Sequence, residues 1–111
     1  MDFHPPPNER LASLVSVLGV ADTRELVEIF LDSTPALLRD LASTDSTVAE
    51  RAAHSLKSSG RQMGLSDLSE RMARLEERLR TPGATLSPPE LKSISDDLAE
   101  AAKPLQAYLK R

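Results

Sequence analysis

His54 and Lys57, in the run Ala53-His54-Ser55-Leu56-Lys57, are the residues of this chain whose types and spacing could do chemistry. Read as a helix, the surrounding run carries its apolar positions at Val48, Ala52, Leu56, the small Ser59 and Met63. At about 100° per residue those five fall within roughly 40° of one direction, and His54 points about 160° away from it, toward water. Arg61 lies beside His54 on that wheel, Lys57 is one turn on, and Ser58 and Glu50 flank it. Few roles suit an imidazole so displayed. A zinc site normally needs three or four His, Cys or carboxylate ligands; His54 and Glu50 supply two, and His4 lies in the N-terminal tail. A Ser-His-Asp triad needs a histidine held by a carboxylate and facing an activated serine, whereas Ser55 and Ser58 sit on an open helix face. A nucleophile toward phosphorus needs less: a ring nitrogen in the open, a cation for the arriving charge, and small neighbours that admit a partner. His54, Lys57, Ser55 and Ser58 suit that role without singling it out. A solvated histidine of no function is the default for a histidine picked at random.

The elements that must position His54 follow from composition and periodicity. A chain of 111 residues fits one domain. Only Phe3, Phe30 and Tyr108 are aromatic, so the core has to come from Leu, Val, Ile, Met and Ala, which favours interlocking helices. The net charge of −3 argues against a nucleic-acid surface, which would need clustered Lys and Arg. There is no cysteine, hence neither disulfide nor thiolate metal site. No run approaches the roughly 18 apolar residues of a membrane span, and the N-terminus lacks the pattern of a secretory signal. The reading is of a soluble, cytoplasmic protein. Its first and last residues, Met1 and Arg111, favour a free-standing chain.

Residues 1–7 read as a proline-stiffened tail and residues 8–111 as one domain. Asn8 can cap a first helix with apolar Leu11, Leu14, Val15 and Leu18, ended by Gly19. Asp22, with Glu25 as capping-box partner, opens a second helix whose stripe is Leu26, Ile29, Phe30, Leu37, Leu38 and Leu41. Pro35 predicts a kink near Asp32-Ser33-Thr34. The helix carrying His54 runs from about Thr47 to Met63, and Gly64 ends it. The next has the regular stripe Leu65, Leu68, Met72, Leu75 and Leu79, the seam of a helix packed nearly antiparallel in a bundle. Ser87, Pro88 and Glu90 start a last helix, with Pro104 as a second kink position. No strand signal competes. The expected fold is all-α: an antiparallel four-helix bundle with a short additional N-terminal helix.

The run Ala53 to Gly64 resembles the signature of the histidine phosphotransfer (HPt) domain family, A-H-x-L-K-[GS]-[SA]-x-x-x-[LIVM]-G. Leu75-Glu76 stands where that family's next helix ends in a leucine-glutamate pair. Phe30 to Leu38, with Pro35, looks like its second helix. The resemblance covers the chain from about residue 9 onward. It implies a phosphorelay intermediate that takes a phosphoryl group from a receiver-domain aspartyl phosphate and passes it to another receiver, with no kinase activity of its own. His54 would be the phosphorylated residue and Lys57 the charge-stabilising neighbour. Glu76 falls about 60° from the centre of its stripe, where the family often has a polar residue that hydrogen-bonds one imidazole nitrogen and fixes the tautomer. An ordinary solvated residue is the alternative for Glu76.

The motif has departures: Ser58 stands where glycine is common, Gly60 where serine or alanine is, and Arg61 and Gln62 are bulkier than usual. Gly60 costs up to about 1 kcal/mol against alanine inside a helix, or else admits a close neighbour. Ser55, Ser58 and Gln62 belong to the expected docking face. Arg51 and Arg61 could steer it toward the acidic groups of a receiver, or simply keep it soluble. The partners implied are response-regulator receivers and a hybrid sensor histidine kinase, with no nucleic acid, no membrane and a monomeric state. No cofactor is expected on this chain; Mg2+ belongs to the receiver. A module of the same fold that occupies a receiver or kinase surface without carrying phosphate is the alternative, against which stand the intact His54 and Lys57.

Overall fold

Capping residues and glycines divide the computed structural model, which describes residues 5–110, into five helices. These are α1 (Glu9–Leu18), α2 (Val20–Leu41), α3 (Ser46–Gln62), α4 (Ser66–Leu79) and α5 (Pro88–Leu109). No strand occurs among the described residues. Of the expected tail, residues 1–4, with Phe3 and His4, lie outside the described residues, and residues 5–7 belong to no helix.

Asn8 caps α1 by accepting the Leu11 N–H at 2.9 Å, which satisfies one of the helix's orphan donors. Its amide also donates to the Met63 carbonyl at 2.9 Å and so ties α1 to the end of α3. Gly19, at φ 88°, ends α1 and directly precedes α2. The second helix therefore begins at Val20, two residues before the expected cap. Asp22 is already in its first turn, and no side chain caps it. The cause is Gly19: one residue in the left-handed region redirects the chain without a linker. α2 then runs as one helix through Pro35 to Leu41. The Ser33 and Thr34 hydroxyls both donate to the Phe30 carbonyl at 2.9 Å, just before the proline removes a backbone donor.

α3 closes on a Schellman turn. Leu65 N–H reaches the Gly60 carbonyl at 2.8 Å and Gly64 N–H reaches Arg61 at 3.1 Å, with Gly64 at φ 79°. α5 opens on Ser87, whose hydroxyl accepts the Glu90 N–H.

α3 packs most extensively on α4, α2 lies against α3 and α5, and α1 rests on α2. The interior is aliphatic, with Leu11, Val27, Leu41, Leu56, Met72 and Leu105 fully enclosed. Two expected stripe residues are outside it: Ile29 is 56% and Leu18 42% exposed. α2 buries the expected Phe30 and Leu41, but Thr23 and Val27 with them, and the Thr23–Val27–Phe30 face lies about 130° from Ile29 on the wheel. Buried Arg24 crosses to the end of α5 and donates to the carbonyls of Tyr108 (2.6 Å) and Leu109 (2.5 Å), over the Tyr108 ring. It thereby satisfies carbonyls that the helix end leaves unpaired.

A methyl group at Gly64 would overlap the Asn8 carboxamide, whereas at Gly83, also at positive φ, it would meet nothing. Gly64→Ala is therefore expected to cost about 2–3 kcal/mol, from backbone strain plus the lost Asn8 bonds, and Gly83→Ala about 1 kcal/mol. Urea denaturation of the two variants reads the difference; equal losses would show that the Asn8 link carries no stability.

Candidate functional site

The buried face of α3 carries mostly small residues. Ala49, Ala52, Ala53, Leu56 and Gly60 are buried, while Val48 and Ser59 are only half-buried. The buried face is thus rotated about 50° from the expected stripe, toward Lys57. At Gly60 an added Cβ would meet Leu68 Cδ2 at 3.4 Å, so α4 passes at ordinary contact distance from a methyl group there. Across this close seam the Ser69 hydroxyl donates to the Lys57 carbonyl at 2.9 Å.

On the flank of that seam His54, Lys57 and Glu76 meet. His54 Nδ1 lies 2.7 Å from Glu76 Oε2, and Lys57 Nζ donates to Glu76 Oε1 at 2.5 Å. The three side chains are 60%, 22% and 8% exposed respectively. The imidazole is therefore not simply given to water, as its own helix wheel suggests; one edge is anchored on α4. Nor is Glu76 a solvated helix-face residue, because α3 covers it. Lys57 points to Glu76 rather than into the open beside the ring. Nε2 of His54 has no partner among the described residues.

Lys57 first, and His54 after it, hold the Glu76 carboxyl below its ordinary range, against the opposing effect of burial. A depressed folded-state value means that the bridge contributes stability above the unfolded carboxylate range. That contribution is lost as pH falls through the lowered value. An ionised carboxylate can only accept, so Nδ1 donates, and in a neutral imidazole Nε2 is then the acceptor nitrogen.

Arg51, Ser55, Ser58, Arg61 and Gln62 are all exposed and lie around the ring. Two shallow depressions flank His54: one includes Ser58, Arg61 and Gln62, the other Glu50, Arg51 and Glu76. Arg10 of α1 lines the first of these and escaped sequence reasoning. Periodicity places it off the apolar stripe of α1 but cannot say which helix that side faces. Arg10, Arg51 and Arg61 have no carboxylate partner among the described residues. Glu50 lies 3.8 Å from Arg80. Neither Ser55 nor Ser58 bonds the ring with its hydroxyl, and no group of three or more His, Cys, Asp or Glu among the described residues is placed to hold a metal ion.

The family model of the Hpt domain matches residues 25–104, from the first third of α2 to Pro104 in α5. The matched segment contains His54, Lys57 and Glu76 and leaves out α1. Comparison with curated proteins and with solved structures gives no match. With 80 of the chain's 111 residues under one family model (25 through 104), the chain belongs to the Hpt domain family, the histidine phosphotransfer modules of two-component phosphorelays, which carry phosphate and are not kinases.

Proposed function

We propose that this protein is a phosphorelay intermediate in which His54 Nε2 receives the phosphoryl group of a receiver-domain aspartyl phosphate and returns it to the aspartate of another receiver. The observation that carries this reading is the anchored imidazole: Nδ1 is held at 2.7 Å by a buried carboxylate while the ring is 60% exposed. Such a ring is oriented without being enclosed, which suits a nucleophile whose substrate arrives on another protein. Lys57 supplies the cation for the incoming oxygens. Mg2+ comes with the receiver. The protein works as a cytoplasmic monomer on an antiparallel four-helix frame; the short turn that joins α3 to α4 supports the antiparallel packing of that pair.

The receiver docks over Arg10, Arg51 and Arg61. Three arginines without carboxylate partners around one imidazole, on a chain of net charge −3, favour an acidic partner face. Small Ser55 and Ser58 keep the approach open, and Gln62 adds a polar contact.

Three measurements test the proposal. His54→Gln is expected to abolish phosphate uptake from a phosphorylated receiver; acid-labile label on that variant would place the site elsewhere. Lys57→Ala is expected to keep the fold and slow transfer about 10- to 100-fold, and an unchanged rate would remove Lys57 from the chemistry. Arg10→Glu is expected to slow association by about tenfold at low salt, with the difference shrinking as salt screens the charges. A rate independent of residue 10 at every salt concentration would take α1 out of the interface.

A further inference from the structure

Glu76 meets two donors at once. Its Oε1 takes the Lys57 ammonium at 2.5 Å, its Oε2 takes His54 Nδ1 at 2.7 Å, and only 8% of the side chain is exposed. A buried charge has to stay paired, because leaving it alone costs several kcal/mol. Phosphorylation changes what each of these three groups must pair with. As Nε2 bonds to phosphorus, the P–O bond of the aspartyl phosphate breaks and its electron pair leaves on the aspartate. The ring keeps its Nδ1 proton throughout and becomes a phosphoimidazolium carrying one positive charge. Phosphoryl oxygens now stand beside the turn that carries Lys57, whose flexible stem is 22% exposed.

Building on the phosphocarrier reading, we infer that Glu76 is the counter-ion of the phosphorylated ring, taken over from Lys57 when the ammonium swings to the phosphoryl oxygens. Before phosphorylation the Lys57 ammonium is the cation paired with Glu76. In the phosphorylated state Lys57 faces phosphate and Glu76 faces imidazolium, so the buried carboxylate is never unpaired. The return step gains from the same arrangement. The acceptor aspartate bonds to phosphorus, the Nε2–P bond breaks, and the pair returns to Nε2 of a neutral imidazole still protonated on Nδ1. Without that proton the leaving group would be imidazolate, a far poorer one. Glu76 is thus a positioning residue that keeps the phosphohistidine ready for transfer as pH rises.

The other charges facing the ring do not replace it. From α3 these are Lys57, Arg51, Arg61 and Glu50, and from α1, Arg10; Arg80, just past the end of α4, lies 3.8 Å from Glu50 rather than at the ring. Among the carboxylates, Glu76 is the one in contact with the ring. A glutamine at position 76 could accept the same hydrogen bond and orient the same ring, but would bring no charge.

The test compares the intact protein with Glu76→Gln. Both are phosphorylated with phosphoramidate and chased with excess receiver from about pH 6 to about pH 9, following loss of phosphohistidine. The wild-type rate is expected to hold across this range, while that of Glu76→Gln falls within it, leaving it at least about tenfold slower at the alkaline end. Nitrogen NMR of the phosphorylated wild-type ring is expected to show Nδ1 protonated throughout, a readout that needs no variant to fold. Superimposable pH profiles, or an unprotonated Nδ1 in the phosphorylated wild-type protein at neutral pH, would overturn the counter-ion role while leaving the carrier reading intact. A wild-type protein that takes phosphate from neither phosphoramidate nor a receiver overturns both.

Discussion

The site and the packing of α3 on α4 meet in one constraint, a carboxylate that is out of water and must be paired. Glu76 is enclosed where α4 runs close to α3, whose buried face carries Ala49, Ala52, Ala53 and Gly60 and meets Leu68 of α4 at Gly60. Larger side chains along that face would hold the helices apart and hydrate the carboxylate. Once it is buried, its two oxygens need donors, and His54 and Lys57, three residues apart on α3, lie on one flank of the seam. Their bonds to Glu76 in turn favour one register of α4 along α3, since a slip would leave the charge unpaired at a cost of several kcal/mol. Packing and chemistry therefore share the same atoms.

The ends of α3 and α1 extend that arrangement outward. The Schellman turn at Gly64 exposes the Met63 carbonyl to Asn8, and the Asn8 amide draws the start of α1 against the C-terminal end of α3. Arg10, two residues on, consequently reaches the depression beside His54. One capping residue thus does local work for its own helix and places a cation on the face of another. The outcome is a cationic rim on an acidic chain, a distribution that net charge alone conceals.

Helix class and most boundaries were legible because capping and termination are local chemistry. As helix ends, Asn8, Gly19, Gly64 and Ser87 act through bonds to residues within a few positions of themselves. Asp22 misled because a good capping residue was present but not needed: Gly19 had already turned the chain. Ile29 misled for another reason. Its apolar type matched a stripe, yet the face of α2 that is buried, with Val27 and Thr23, lies about 130° away. Arg24 carried no signal, since its partners are carbonyls 84 and 85 residues away.

By itself the sequence determined that His54 stands on the polar side of a helix, with Lys57 one turn on and small residues around it. Those relations lie within one helix, where rise and rotation per residue are set by backbone geometry. Only the tertiary structure decided that the imidazole is anchored on one edge, that Lys57 pairs with Glu76, and that Arg10 joins the rim. Periodicity orients a residue relative to its own helix axis. It says nothing of which neighbouring helix lies there or how closely it approaches, and that distance separates a solvated glutamate from a buried one shared by a histidine and a lysine.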